Sequence, residues 1–363
     1  MALQEASGAG PAGRTSLGRP APTGGRPDDD GSAPGQRLSL AVVQETGNRI
    51  AANIERVIDG KAEVVRLALV VLLAEGHLLI EDVPGVGKTK LAKALARSID
   101  CSVRRIQFTP DLLPSDVTGV SVYNQESGDF EFRPGAVFAN LVVGDEINRA
   151  SPKTQSALLE CMEERQVTVD GVTFVLESPF MVVATQNPIE MEGTYPLPEA
   201  QRDRFTARVS MGYPDAAAEM VMLVDHAGSD PLETLEPVST ATEVRALIAA
   251  VHGTHVSDAV RRYAIDLVNT TRRSPDLRLG ASPRATLQLL RAAKALSALE
   301  GRSYVLPDDL QRLALPVLAH RVLPTAEAQI ARRSTDGIVA DIVRRVPIPR
   351  SVEAPPVRAA PGR

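Results

Sequence analysis

The stretch that decides the fold is residues 78–89, which read Leu78-Leu79-Ile80-Glu81-Asp82-Val83-Pro84-Gly85-Val86-Gly87-Lys88-Thr89. A short apolar run ends in a glycine-containing loop, and an Ala/Leu-rich helical pattern follows the Lys-Thr pair. Phosphate-binding loops occur in this order of strand, loop and helix, because backbone N–H groups and the helix N-terminus together form a site for anions. The segment therefore predicts a nucleotide-binding α/β domain.

The residue types in this loop suit a nucleoside triphosphate. Lys88 would place a positive charge near the β- and γ-phosphates, and the Thr89 hydroxyl would bind Mg²⁺. The usual loop starts with Gly, where this chain has Asp82, although Pro84-Gly85 still supplies a turn. The alternative is an ordinary glycine turn before a helix. We predict ATP and Mg²⁺ as ligands, with these binding residues: Asp82, Val83, Pro84, Gly85, Val86, Gly87, Lys88, Thr89 and Lys90.

Two adjacent carboxylates follow a second apolar run, residues 141–144. At the tip of a strand beside a phosphate loop, Asp145 would hold Mg²⁺ directly or through water, and Glu146 would act as general base for the attacking water. The alternative is a strand that simply runs into an acidic turn. A third apolar run, residues 180–185, ends near Asn187, whose amide could position the hydrolytic water.

Strands alternate with helical patterns up to about residue 214, and after it only helical patterns follow, the first near 216–223. This order predicts an α/β core with a parallel sheet flanked by helices, followed by an all-α lid. The Gly- and Pro-rich first segment has too little apolar surface to fold. The predicted organisation is a disordered tail (1–37), the nucleotide-binding core (38–214), the helical lid (215–350) and a flexible tail (351–363).

Composition narrows the class of protein. At 363 residues with 44% hydrophobic content, the chain is long enough for two globular domains, and its net charge of −5 gives no reason to expect nucleic acid. Cys101 and Cys161 lack metal-ligand spacing and fit a reducing compartment. The most apolar run, residues 67–74, is shorter than the ~20 residues of a membrane span. We expect a cytoplasmic protein without direct membrane insertion.

Several motif strings carry a resemblance to one family. They are residues 81–89, Gly144-Asp145-Glu146-Ile147-Asn148-Arg149-Ala150, Ala184-Thr185-Gln186-Asn187-Pro188, residues 193–201, and Gly280-Ala281-Ser282-Pro283-Arg284-Ala285. With these strings the chain resembles the MoxR-like AAA+ ATPases over about residues 38–350. The resemblance implies an AAA+ P-loop core with a helix-2 insert (about 123–133), a pre-sensor hairpin (167–175) and a C-terminal lid.

The resemblance also implies roles for single residues. Asn187 is similar to the sensor-1 residue, and Arg284 to a sensor-2 arginine that reaches the γ-phosphate from the lid of the same subunit. Arg204 is similar to the arginine finger that acts on the neighbouring subunit. Arg202 stands where relatives usually have Leu, so it is a second candidate for the finger. The alternative for each arginine is a solvated surface charge.

The family resemblance implies an ATPase that forms ring oligomers, often hexamers, and remodels partner proteins, frequently proteins with von Willebrand factor A domains or metal sites. Two alternatives are a nucleic-acid motor or loader resembling the MCM proteins and a nucleotide-gated scaffold. A scaffold needs neither Glu146 nor an arginine finger. The hairpin signal at 167–175 contains no Lys or Arg, and the insert carries three carboxylates beside Arg133. We therefore predict a protein client and no nucleic acid.

Overall fold

A five-stranded parallel sheet forms the centre of the fold. The computed structural model describes residues 39–82, 87–187, 194–213 and 231–349. Both predicted tails, loop residues 83–86, motif residues 188–193 and the helix expected near 216–223 lie outside the described residues. In chain order the elements are α1 (Leu40–Glu55), α2 (Ala62–Leu73), β1 (Leu78–Glu81), α3 (Lys88–Ser98), β2 (Val103–Gln107), α4 (Pro114–Thr118), β3 (Gly119–Asn124), β4 (Asp129–Pro134), β5 (Leu141–Asp145), α5 (Pro152–Glu164), β6 (Gln166–Val169), β7 (Val172–Val175), β8 (Met181–Gln186), α6 (Glu199–Arg202), β9 (Ala207–Val209), α7 (Ala241–His252), α8 (Asp258–Arg273), β10 (Leu277–Leu279), α9 (Pro283–Leu299), α10 (Pro307–Leu318), β11 (Leu323–Pro324), α11 (Ala326–Ile330) and α12 (Thr335–Arg345).

The strand order in this sheet is β2-β5-β8-β1-β9, and all pairs are parallel. Strands β5 and β8 lie inside the sheet and are almost entirely buried, which is why their sequences are continuous apolar runs. Strand β2 lies at one edge, and Ile106 is its one buried residue. This parallel sheet with flanking helices and a helical C-terminal region confirms the predicted fold class.

Side chains along each strand alternate between two hydrophobic clusters, one on each face of the sheet. In β1, Leu78 and Ile80 pack with α1, α2, α3 and the helices of the lid, whereas Leu79 packs on the other face with α5 and β6. The N-terminal helices, one face of the sheet and the lid therefore share one continuous cluster. None of the helices in the described ranges combines the length and apolar character needed to span a bilayer.

Two hairpins project from the second face. The β6–β7 turn has Asp170 and Gly171 at φ values of 51° and 79°, which are the two positive values of the type I′ turn expected for Asp-Gly. Strands β3 and β4 extend the predicted insert by several residues at its N-terminal end. The hairpins contact each other, because the rings of Phe132 and Phe174 stack with their centroids 4.0 Å apart.

A buried histidine joins three elements at the start of β1. The Nδ1 atom of His77 accepts a hydrogen bond from the Val182 N–H at 3.0 Å, so Nε2 carries the proton and donates to the Met162 carbonyl at 3.0 Å. Burial is the main cause that lowers the pKa of His77 from 6.5 to about 4. The folded protein therefore keeps this ring neutral where the unfolded chain would protonate it.

Acidification is expected to destabilise the fold through His77. Between pH 6.5 and about 4 the unfolded chain binds a proton at this residue that the folded chain does not, so stability is lost as pH falls. The contribution is at most about 1.4 kcal/mol per pH unit. Urea unfolding at several pH values should show a shallower pH slope for His77→Asn than for the wild type. An unchanged slope would contradict the role of this ring.

Candidate nucleotide site

The nucleotide site predicted from the sequence lies at the carboxyl edge of the sheet, where β1 meets α3. Gly87 precedes α3 with a φ of 88°, a conformation that favours glycine. Lys88 Nζ donates to the backbone carbonyl oxygen of Asp82 at 2.6 Å, which keeps the ammonium group near the carboxyl end of β1. Lys90 follows within the first turn of α3. The remaining loop residues, Val83, Pro84, Gly85 and Val86, lie outside the described residues.

Thr89 and Asp145 come together at this edge from different elements. The Thr89 hydroxyl lies 3.3 and 3.2 Å from the two carboxylate oxygens of Asp145. Both are hard oxygen ligands of the kind that Mg²⁺ prefers, and Mg²⁺ usually binds one or two protein groups together with waters and substrate phosphates. The pair therefore fits the ion that the sequence predicts.

Two further residues surround the Asp145 carboxylate, and sequence reasoning missed both. Arg105 Nε lies 2.6 Å from Oδ2, and the Thr185 hydroxyl donates to Oδ1 at 3.3 Å. Asp145 is only 6% exposed, so an ionised carboxylate needs such partners. Their positions follow from the strand order, because β2 and β8 flank β5 on its two sides.

Glu146 follows directly after β5 and turns out of the strand direction. Its φ of 58° places it in the left-handed region, which is uncommon for residues other than glycine. Its N–H donates to the Thr185 hydroxyl at 3.0 Å. Its carboxylate accepts from Gln107 Nε2 at 2.8 Å and lies 3.3 Å from Arg149 Nε. The side chain is about one-third exposed, so a water molecule can reach it.

Asn187 lies at the end of β8, the strand beside β5. It is buried, and its backbone carbonyl oxygen accepts a hydrogen bond from Asn148 Nδ2 at 3.4 Å. The structure thus brings five predicted residues to one edge of the sheet: Lys88, Thr89, Asp145, Glu146 and Asn187.

Arg204 and Arg284 lie at the amino-terminal ends of the parallel strands, at the edge of the sheet opposite the nucleotide site. Both contact the carboxylate of Glu163 at the end of α5, and Arg204 Nε lies 3.2 Å from Oε2. They line a cleft of about 400 Å³ that also contains Arg165 and Arg291, and residues 74–77, which lead into β1, form one of its walls. Its four arginines face two carboxylates, Glu75 and Glu163, so the cleft carries a net positive charge.

The structure places Arg284 away from Thr89 of its own chain, although the family resemblance implies that it reaches the γ-phosphate there. Its contacts, Glu163 and Asp203, precede or lie beside the amino ends of β1 and β9, whereas Thr89 lies past the carboxyl end of β1. A four-residue strand such as β1 separates the two edges by about 10 Å, since each residue advances ~3.3 Å. The lid packs so that Arg284 lies beside Arg204 at Glu163. The structure therefore does not bring Arg284 to Thr89 of its own chain.

A buried ion pair connects the lid to the residue before Arg204. Arg321 has a fully buried side chain, and its Nη1 lies 2.8 Å from Asp203 Oδ1. The hydroxyl of Ser282, the N-cap of α9, donates to the same carboxylate at 2.9 Å. Burial is the main cause that lowers the pKa of Arg321 to about 10, and Asp203 opposes it. Neither Arg321 nor Asp203 stands out in the sequence.

Comparisons with known proteins agree with this arrangement. Residues 77–207 match the family model described as the ATPase family associated with various cellular activities (AAA), and residues 269–342 match the AAA lid domain. The chain is 40% identical over 326 residues to the chaperone MoxR1 of Mycobacterium tuberculosis, an alignment that covers 87% of this chain and 86% of that protein. This chain is a MoxR-like AAA ATPase. The family that the sequence motifs predicted is therefore confirmed.

Other relatives of this MoxR-like ATPase support the same assignment. It is 51% identical over 297 residues to the uncharacterized protein YeaC of Bacillus subtilis, covering 82% of this chain and 93% of that one. A crystal structure of a candidate ATPase from Cytophaga hutchinsonii superposes with a TM-score of 0.79 at 37% identity, over 85% of this chain and 96% of the other. Membership of the AAA ATPase family implies that the chain binds and hydrolyses ATP.

Proposed function

We propose that this MoxR-like ATPase uses ATP hydrolysis, ATP + H₂O to ADP + phosphate, to remodel partner proteins as a ring oligomer, a hexamer by the family resemblance. The observation that carries the proposal is the position of Arg204 and Arg284. A nucleotide at Thr89 lies at one edge of the sheet and these two arginines lie at the other, so one chain alone does not complete the site. Heterologous contacts between copies would complete it, and such contacts form a ring when the rotation between neighbouring copies closes.

Each residue at the carboxyl edge has a distinct role in ATP hydrolysis. Lys88 binds the phosphates, and Thr89 and Asp145 would hold Mg²⁺, which would neutralise charge on the phosphate oxygens when bound. Glu146 takes a proton from the attacking water, and Asn187 orients that water. Gln107 and Arg149 contact the Glu146 carboxylate and hold it in place.

The residues at the amino edge would serve the nucleotide of the neighbouring copy. Arg204 acts as the arginine finger, and Arg284, which contacts the same Glu163, provides a second cation beside it. Arg202 does not line this cleft, and its Nε atom is buried without a hydrogen-bond partner among the described residues. These positions favour Arg204 over Arg202 as the finger.

Assembly should control activity, and this tests the proposal. The rate of ATP hydrolysis per chain is expected to fall steeply when the protein is diluted below the concentration at which rings dissociate, because each site then loses its arginines. Light scattering and phosphate release should be measured on the same dilution series. Equal rates per chain for monomers and rings would contradict a shared site.

The client is expected to be a protein, and the family resemblance suggests one with a von Willebrand factor A domain. The name of MoxR1, a chaperone, supports a protein client for this chain as well. Proteins that co-purify with a Glu146→Gln version in ATP would be candidates, since that form should retain what the ATP-bound ring holds.

Nucleic acid is not expected to bind. Proteins that follow a nucleic-acid strand neutralise its phosphates with Lys or Arg, whereas the two hairpins carry Glu126, Asp129, Glu131 and Asp170 against the single Arg133. Fluorescence anisotropy with single- and double-stranded DNA and RNA at ~50 mM salt should show no micromolar binding. Tight, salt-sensitive binding or a strong increase in ATP hydrolysis would instead favour a motor that resembles the MCM proteins.

A further inference from the structure

The β3–β4 hairpin has two chemically different faces. Paired residues of an antiparallel hairpin share a face, and Tyr123 pairs with Phe130 while Ser121 pairs with Phe132. The other face carries Asp129, Glu131 and Arg133 on strand β4, together with Val120 and Val122 on β3. Strand β4 therefore alternates acidic and aromatic side chains over its first four residues.

The aromatic face continues beyond the hairpin. Phe132 contacts Phe138 and stacks on Phe174, and Tyr123 contacts Phe130 at a centroid distance of 5.3 Å. These five rings are a large share of the twelve aromatic residues in the chain, which concentrates them in one strip. At its outer end Tyr123 and Phe130 are 52% and 73% exposed. Neighbouring exposed rings of this kind are typical of binding surfaces.

Strand β4 also has an outer edge without a partner strand. Strands β3 and β4 form a sheet of two strands, and no third strand pairs with either of them within the described residues. Backbone N–H and C=O groups along such an edge can pair with an added strand from another chain. Edge pairing would place alternate side chains of that strand next to the aromatic and the acidic side chains of β4.

We propose that strand β4 binds an extended segment of the client protein by strand addition, and that this segment alternates apolar residues with Lys or Arg. The apolar side chains would pack on Phe130 and Phe132, and the basic ones would lie beside Asp129 and Glu131. This inference rests on the proposed remodelling function and names the surface and the chemistry of its partner. An alternative is that the acidic side chains only protect an exposed edge from aggregation.

Labelled eight-residue peptides would test this surface on the full-length protein in ATP. One peptide alternates Lys and Leu, a second has the same composition in two blocks, and a third alternates Glu and Leu. We expect the alternating Lys-Leu peptide to bind at least about tenfold more tightly than the other two, since the block peptide cannot match the period of a strand. Equal binding of the alternating and block peptides would overturn strand addition.

Variants of β4 distinguish specific binding at this strand from nonspecific peptide binding elsewhere on the protein. Phe130→Ser should weaken binding of the Lys-Leu peptide about tenfold, and Glu131→Lys should shift the preference toward the Glu-Leu peptide. Ile330→Ser and Glu327→Lys make matched changes at exposed positions of the lid and should bind like the wild type. Peptide affinities that do not distinguish the β4 variants from the lid variants would overturn the proposal.

N-methylation tests the backbone contacts. Two Lys-Leu peptides, methylated on alternate amides in opposite phase, should differ, because only one phase removes the N–H groups that face β4. Equal binding by both methylated peptides and the parent would contradict strand addition.

Phosphate release by the wild type is measured in parallel. A wild type that does not hydrolyse ATP refutes the proposed function, whereas active protein with β4 variants that bind normally refutes only this inference.

Discussion

Glu146→Gln is expected to hydrolyse ATP about 10²–10⁴-fold more slowly than the wild type while binding ATP with similar affinity. The amide cannot accept the proton of the attacking water, but it keeps the size of the side chain and can still contact Gln107. Binding should persist because Lys88 and Thr89 are unchanged, and both lie at the phosphate loop rather than on β5.

Phosphate release in steady state and calorimetric titration of ATP would measure the two effects separately. Glu327→Gln makes the same chemical change at an exposed position of the lid and serves as the control. A rate of hydrolysis within a few-fold of the wild type would show that Glu146 is not the base and that another group takes the proton from the water.

Arg204→Ala is expected to lose about 10³–10⁵ in the rate of hydrolysis, the range over which an arginine finger acts. Lys88→Ala should also be inactive, because the phosphate loop loses its cation. Mixing the two variants should restore part of the activity, since roughly one interface in four of a random ring pairs an intact loop with an intact arginine.

This recovery separates a shared site from a site within one chain. Arg204 and Lys88 lie at opposite edges of the same sheet, so two defects in different chains can be complemented only across an interface. Arg262→Ala, an exposed arginine of the lid, is a control that should be active alone and add nothing on mixing. If rings shown to be mixed stay inactive, the finger must be another residue, with Arg202 the first alternative.

Local sequence predicted much of the site. The loop and the Asp145-Glu146 pair each follow an apolar run. Because parallel strands bring such ends to one edge of the sheet, the order of these segments in the chain was sufficient to predict that they form one site. The resemblance to the family supplied the roles of Asn187 and Arg204.

The rest depends on contacts between distant parts of the chain. Arg105 and Thr185 reach Asp145 only because β2 and β8 flank β5, and no local pattern gives that order. The position of Arg284 beside Glu163 could not be predicted, because a motif at a helix start does not tell where the lid packs. Arg321 is an ordinary arginine in the sequence, and only its burial against Asp203 distinguishes it.

The hydrophobic cluster shared by α1, α2, one face of the sheet and the lid makes the two predicted domains mutually dependent. In a fragment that ended after β9, Leu78 and Ile80 would lose their contacts with the lid side of the cluster. The lid alone would expose the faces of α9 and α10 that contact α1, α2 and β9. We therefore expect neither half to fold stably without the other. Destabilising substitutions in the lid core should consequently lower the unfolding midpoint of the nucleotide-binding core as well, in one shared transition.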